Sequence, residues 1–396
     1  MEKSKKWLLA AVYALAFGYG LTCTMIAPLI PYVIEDFALT SAQGGFLMTF
    51  LNIGALVSVS FSLYFADRFP NLPIYAAAYI LFSAALLCIV GAPSYTILLA
   101  LMLLVGIGSK VVDILANPIL AAAFSEGGER YLNLLHMFLS AGGCLSPMLL
   151  QFLLNAGISW RAAFAGIGAL CCALLLVCSP VLLRTAHSES ARQAEHREVA
   201  PFRLTAVMVL LGFAAFFNQA HQIIVNTWGT VYAQRALGVS DGIAGLAATV
   251  LWFGIILSRL LASRLAGPKN TVTLIFWGSI GGGAALALGA LSNQPAAAYI
   301  GLFLAGLLAG AVIPLCIARL CMLYPAVSGR VTSLVFLMLV TSALVFPSVS
   351  GRLADTAGFR WVMVLSGAFL LISAFISRFI PSQPQKSYRS ENNSDV

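Results

Sequence analysis

Long apolar blocks alternate with short polar segments from one end of this chain to the other. A helix needs about 20 apolar residues to cross a hydrocarbon core about 30 Å thick. By that measure twelve spans are predicted, near residues 7–34, 41–66, 72–92, 95–124, 130–156, 160–184, 202–234, 241–266, 271–292, 296–324, 328–354 and 359–380, numbered span 1 to span 12. Inside lipid each segment has to satisfy its own backbone polar groups, which runs of this length do as helices. The expected fold is an all-α membrane protein. The first block is too long for a signal-peptide core and has no cleavage site after it, so it is kept as span 1.

Landmarks recur at a nearly fixed offset. Asp67-Arg68 and Ser263-Arg264 are 196 residues apart, Gly106 and Gly306 200, Pro147 and Pro347 200, and Arg161 and Arg360 199. The spacing predicts two pseudo-symmetric six-helix bundles, residues 1–184 and 202–380, with a polar segment at 185–201 between them and a tail at 381–396. The joining segment is charged and lacks apolar periodicity, which reads as a cytoplasmic linker.

Composition excludes an ordinary soluble domain: 60% of the 396 residues are apolar and 9% charged, against about 25% charged in globular domains. The net charge of +8 does not point to nucleic acid, because the basic residues sit in short segments between spans. Of 22 Lys and Arg, 15 fall on the side of the termini, 4 opposite and 3 within spans. By the positive-inside bias both termini are cytoplasmic. A monomer in the lipid bilayer of a bacterial plasma (inner) membrane is the expected setting. The eight cysteines lie in apolar blocks without CxxC spacing and read as small hydrophobes. With no nucleotide loop, metal-ligand cluster or nucleophile–base pair in the sequence, neither an enzyme nor a cofactor is expected.

Thirteen of the 14 acids occupy tails, loops or span ends; Asp113 alone lies deep within a span. A carboxylate there costs about 2.5–3.5 kcal/mol on insertion scales, which marks it as functional by default. Lys110 and Asn117, three residues before it and four after, share its face of span 4. Two readings stand. In one, Asp113 takes up and releases a proton and couples solute movement to the proton gradient. In the other, Lys110 pairs with it permanently and the pair only braces span 4. Arg259, near the inner end of span 8, is expected to snorkel to the cytoplasmic interface, and Arg319 in span 10 either snorkels or serves a gate.

Span 7 carries Asn218, Gln222 and Asn226 at i, i+4 and i+8, with His221 and Trp228 nearby. Amides beside an indole suit a small polar solute; the bland alternative is that they glue helices together. His136, about one turn into span 5, either belongs to the inner cavity or bonds a neighbouring helix.

The stretch Leu63 to Leu72 (LYFADRFPNL) keeps the Asp67 and Arg68 of a Gly-x-x-x-Asp-Arg-x-Gly-Arg-Arg/Lys turn but has Leu63 and Pro70 in place of its glycines. Together with the parallel six-helix repeat, this resembles the major facilitator superfamily, in which the solute site lies between the halves near the midplane. The resemblance implies a cytoplasmic charge latch at Asp67, with Arg68 and the repeat-related Arg264 beside it as gating residues; loop capping is the alternative for Asp67. The segment GIGSKVVDILANPILAAAF from Gly106 to Phe124, followed by LNLLHMFLSAGG from Leu132, is similar to the span 4 and 5 signature of the fucose/galactose/glucose:proton symporter family. Trp228, Tyr232 and LWFGIILSRLL at 251–261 follow that pattern more loosely. The resemblance implies that Asp113 is the family's span 4 acid, which binds the proton or the sugar. The chain departs from the pattern at Ala27, where a second membrane acid occurs in the family, and at Gln222, where many relatives have glutamate. Coupling then uses Asp113 alone, uses sodium, or is absent.

The expectation is a secondary transporter of a small polar solute, a sugar or related polyol, working by alternating access with a proton or sodium as coupling ion. The alternatives are a drug or metabolite exporter on the same fold and a membrane sensor that binds a solute without translocating it.

Overall fold

The computed structural model describes residues 2–39, 41–65, 68–124, 127–195 and 202–380. Among them twelve helices are long and apolar enough to cross a membrane, from Lys5–Cys23 to Phe359–Ser377. Spans 1 and 10 are each split into two helical pieces. Span 1 consists of Glu2–Cys23 and Ile26–Asp36, and span 10 of Pro295–Ala309 and Val312–Leu323. In span 10 the cause is local: Pro314 has no N–H to offer the carbonyl of Gly310 one turn earlier, and the chain turns at 310–311. Span 4 keeps Pro118 inside one continuous helix, Tyr95–Ala123. There the Asn117 side-chain amide donates to the Ile114 carbonyl that the proline leaves, at 3.5 Å, and to the Asp113 carbonyl at 2.8 Å.

The halves repeat down to single backbone contacts. Spans 2 and 4 touch at Gly54 and Gly106, where a Cβ on Gly106 would collide with the Leu51 carbonyl. Spans 8 and 10 touch 200 residues later at Gly254 and Gly306, against the Leu251 carbonyl. Ser58 donates to the Ile107 carbonyl at 2.9 Å, and its counterpart Ser258 accepts from the Ala311 N–H at 3.1 Å. Backbones in lipid associate by close packing rather than by apolar burial, so small residues recur at these crossings.

The segment expected to link the halves begins as helix. Span 6 runs from Trp160 to Glu195, because TAHSESARQAE contains neither glycine nor proline to stop it. Residues 196–201 and the tail from 381 lie outside the described residues.

The two halves meet along spans 2 and 11 and along spans 5 and 8, and further through spans 4 and 5 against spans 10 and 11. A Cβ on Gly128, at the start of span 5, would press on the Met322 sulfur at the end of span 10 (2.6 Å), so the halves are in contact at the ends nearer the chain termini. Spans 1 and 7 share no packed interface among the described residues.

Candidate solute and coupling site

Span 4 brings Lys110, Asp113 and Asn117 to the seam between the halves. Lys110 Nζ lies 2.9 Å from Asp113 Oδ2 and 5.0 Å from the ring centre of Phe336 on span 11. Tyr19 of span 1 donates to the same carboxylate oxygen at 3.2 Å. Both donors thus converge on Oδ2, and Oδ1 takes none from the described residues. Asn117 is buried on the next turn; with its NH₂ given to backbone carbonyls, its Oδ1 is the acceptor for His136 Nε2 at 3.1 Å. That arrangement assigns the ring proton to Nε2. A cavity of about 10 Å³ separates Tyr19, Tyr75, Asp113 and His136, room for one water molecule. The buried Tyr75 hydroxyl has no partner among the described residues. Cys23, one turn beyond Tyr19, is exposed although it lies within electrostatic reach of Asp113 and Lys110.

Arg259 does not snorkel. It is buried, with Nε donating to the Gly310 carbonyl at 3.3 Å and Nη1 to the His136 carbonyl at 2.9 Å and to Ser140 Oγ. The break in span 10 leaves a carbonyl in want of a donor, and span 5 supplies two further acceptors, so the guanidinium finds partners at depth and has no need of the interface. One side chain thereby joins spans 8 and 10 of the C-terminal half to span 5 of the N-terminal half. Arg319 is also buried; it donates to the Pro268 carbonyl at 3.0 Å, and Glu129, at the start of span 5, acts on its charge from the other half. Glu129 reads as a span-end acid in the sequence, but its side chain is buried.

The span 7 residues divide into two groups. Asn218 is buried, donating to the Ala309 carbonyl at 3.0 Å and accepting from Gln222 at 2.8 Å. His221 is buried against span 12, where its Nδ1 pairs with Ser366 Oγ at 2.9 Å and Ser366 donates to the His221 carbonyl at 3.2 Å. The Asn218 NH₂ and the His221 ring spend their hydrogen bonds on neighbouring helices, while Asn218 Oδ1 is taken within span 7. Farther along, Asn226 is exposed and accepts from Trp252 Nε1 at 2.9 Å, while half-buried Trp228 donates to Ser350 Oγ at 2.9 Å. Of the proposed latch, Asp67 lies outside the described residues; Arg68 stacks on Tyr64 at 4.0 Å, and Arg264 is exposed. Sequence reading missed Tyr19, Tyr75, Ser140 and the part played by Arg259. The aromatic Tyr19 between Gly18 and Gly20 was the one available hint. Among the described residues no group of three or more His, Cys, Asp or Glu side chains is placed to hold a metal ion.

The sequence profile of the Major Facilitator Superfamily matches residues 12–276 and 208–395. The chain belongs to that superfamily. Similar proteins include the membrane protein MosC of Rhizobium meliloti, 23% identical over 96% of this chain and 93% of that one. Another is the inner membrane transport protein YdiN of Escherichia coli K12, 23% identical over 91% and 86%. The human organic anion transporter MFSD10 (TETRAN) shares the fold with a TM-score of 0.78 at 15% identity, covering 94% of this chain and 99% of its own. FucP in its outward conformation does so with a TM-score of 0.71 at 16% identity, covering 96% and 99%. Family and fold make this superfamily member a multi-pass membrane transporter of two six-helix bundles.

Proposed function

We propose that this transporter moves a small polar solute, a sugar or related polyol, by alternating access, with Asp113 as the coupling acid and a proton as the coupling ion. The observation that carries the reading is the Lys110–Asp113 pair, placed at the seam of the halves with Phe336 of the opposite half beneath the ammonium. A pair there is remade whenever the halves rock. With both termini in the cytoplasm, the Arg259 and Gly128–Met322 contacts close the inner side, and the described state faces outward. Lys110 and Asp113 form one wall of the solute site, and Gln222, Asn226 and Trp228 the other; Asn218 and His221 hold span 7 in place for it. Two fold neighbours, a fucose:proton symporter and a proton:xylose symporter, support the solute class.

The test is counterflow in proteoliposomes over sugars, polyols and nucleosides, with pH and sodium varied. Wild type should accumulate its solute under an inward proton gradient, and Asp113→Asn should exchange the same solute without accumulating it. Accumulation by the variant would remove Asp113 from coupling. Exchange of a lipophilic cation with no exchange of any polar solute would favour the exporter.

A further inference from the structure

Three charged side chains lie together at the centre of the molecule: Lys110, Asp113 and Arg259. Asp113 is committed to Lys110 at 2.9 Å. Arg259 donates only to the carbonyls of Gly310 and His136 and to the Ser140 hydroxyl among the described residues, with no carboxylate at hydrogen-bond distance. The cluster therefore carries two positive charges and one negative. The groups that face Asp113 from the surrounding helices are Tyr19 and Cys23 of span 1, Tyr75 of span 3, His136 of span 5 and Arg259 itself. None is an acid that could balance the excess. A surplus positive charge in a water-poor, low-dielectric interior is costly to hold and attracts an anion strongly. Within the pair the ammonium is the more accessible partner, its side chain 19% exposed against 10% for Asp113.

Resting on the reading of Asp113 as the coupling acid, we propose that the solute bears a carboxylate: the transporter carries a hydroxylated monocarboxylate together with one proton, and the anion takes the place of Asp113 on Lys110. The solute carboxylate pairs with the Lys110 ammonium, the Lys110–Asp113 contact breaks, and Asp113 takes up a proton from the outer solution. The cluster holds one net positive charge before the exchange and one after it, because the incoming negative charge and the incoming proton cancel. No charge then has to be created at depth as the halves rock, and the solute moves with its proton as a neutral unit. Lys110 is the residue that distinguishes an acid from the corresponding neutral alcohol. Asp113 is the residue that senses whether Lys110 has been claimed.

The experiment uses the full-length protein with matched pairs of ligands: gluconate and sorbitol, glucuronate and glucose, glycerate and glycerol, quinate and inositol. Thermal shift in detergent and counterflow in proteoliposomes are read for each. The expected result is that at least one acid stabilises and exchanges about ten-fold better than its neutral partner. Lys110→Gln should remove that preference and Lys110→Arg should keep it. Uptake of the preferred acid should follow a pH gradient and ignore an imposed membrane potential, as a neutral anion-plus-proton unit does. A neutral partner that works as well as its acid, or the absence of any response to all four acids, overturns the assignment. If sorbitol or glucose is instead accumulated in an Asp113-dependent way, the carboxylate proposal falls while the coupling role stands; if an acid is accumulated equally by Asp113→Asn, the coupling role falls and recognition by Lys110 stands.

Discussion

Gly54 and Gly106 in the N-terminal half stand 200 residues from Gly254 and Gly306 in the C-terminal half, and at both crossings an added Cβ would run into a facing backbone. The polar furniture hung on this shared frame differs. Around span 4 the N-terminal half gathers Tyr19, Lys110, Asp113 and His136, three of them ordinarily capable of carrying charge. Around span 7 the C-terminal half places Asn218 and Gln222 on each other and His221 on Ser366, and its buried Arg259 reaches out to the opposite half. Backbone contact tolerates little change because a crossing of two glycines has no slack. Side chains facing the seam are freer to diverge, so titratable groups gather in one half while the other contributes amides and an arginine that crosses the seam.

The shared frame is most vulnerable at the crossings. Gly106→Val and Gly306→Val should be about equally damaging, each by about 3 kcal/mol or more, since the added atoms meet backbone rather than a yielding side chain. Thermal denaturation in detergent checks this, and a large difference between the two variants would show that the halves do not share one packing rule. Arg259→Gln should come next, with a loss of about 1–3 kcal/mol as the Gly310 carbonyl is left unpaired. It should also shift the population away from the outward state, read as slower labelling of Cys23 from outside by a membrane-impermeant maleimide in a variant keeping only that cysteine; unchanged labelling would deny Arg259 a part in closure. The smallest effect is expected for Asn218→Ala, about 1 kcal/mol of stability with counterflow preserved. Loss of counterflow without loss of stability would move Asn218 from the frame into the solute site.

Much of this was readable from residues alone, for a physical reason. Lipid forces span length and helical structure, so the apolar blocks map onto the twelve spans, and Asp113 with Lys110 and Asn117 follows from spacing within one helix. What spacing within a helix does not give is the identity of the facing helix. Tyr19 meets Asp113 across 94 residues, and Arg259 meets the His136 carbonyl across 123. Asn218, Gln222 and Asn226 do form a line up span 7, but Asn218 at one end of that line is turned to span 10 of its own half. Snorkelling was the natural expectation for an arginine near a span end; of the acceptors that hold Arg259 at depth, the Gly310 carbonyl is free because span 10 is broken at Pro314, and the other two lie on span 5 of the opposite half.

That break has a mechanical corollary. The carbonyl exposed by the interruption at Gly310 and the grip on the opposite bundle are served by a single guanidinium. Pulling span 5 away loosens the splint on the elbow of span 10, and straightening the elbow deprives the grip of its anchor. The stiffness of the joint and the strength of the seal are thus geared together, and a mutation cannot retune one while leaving the other untouched.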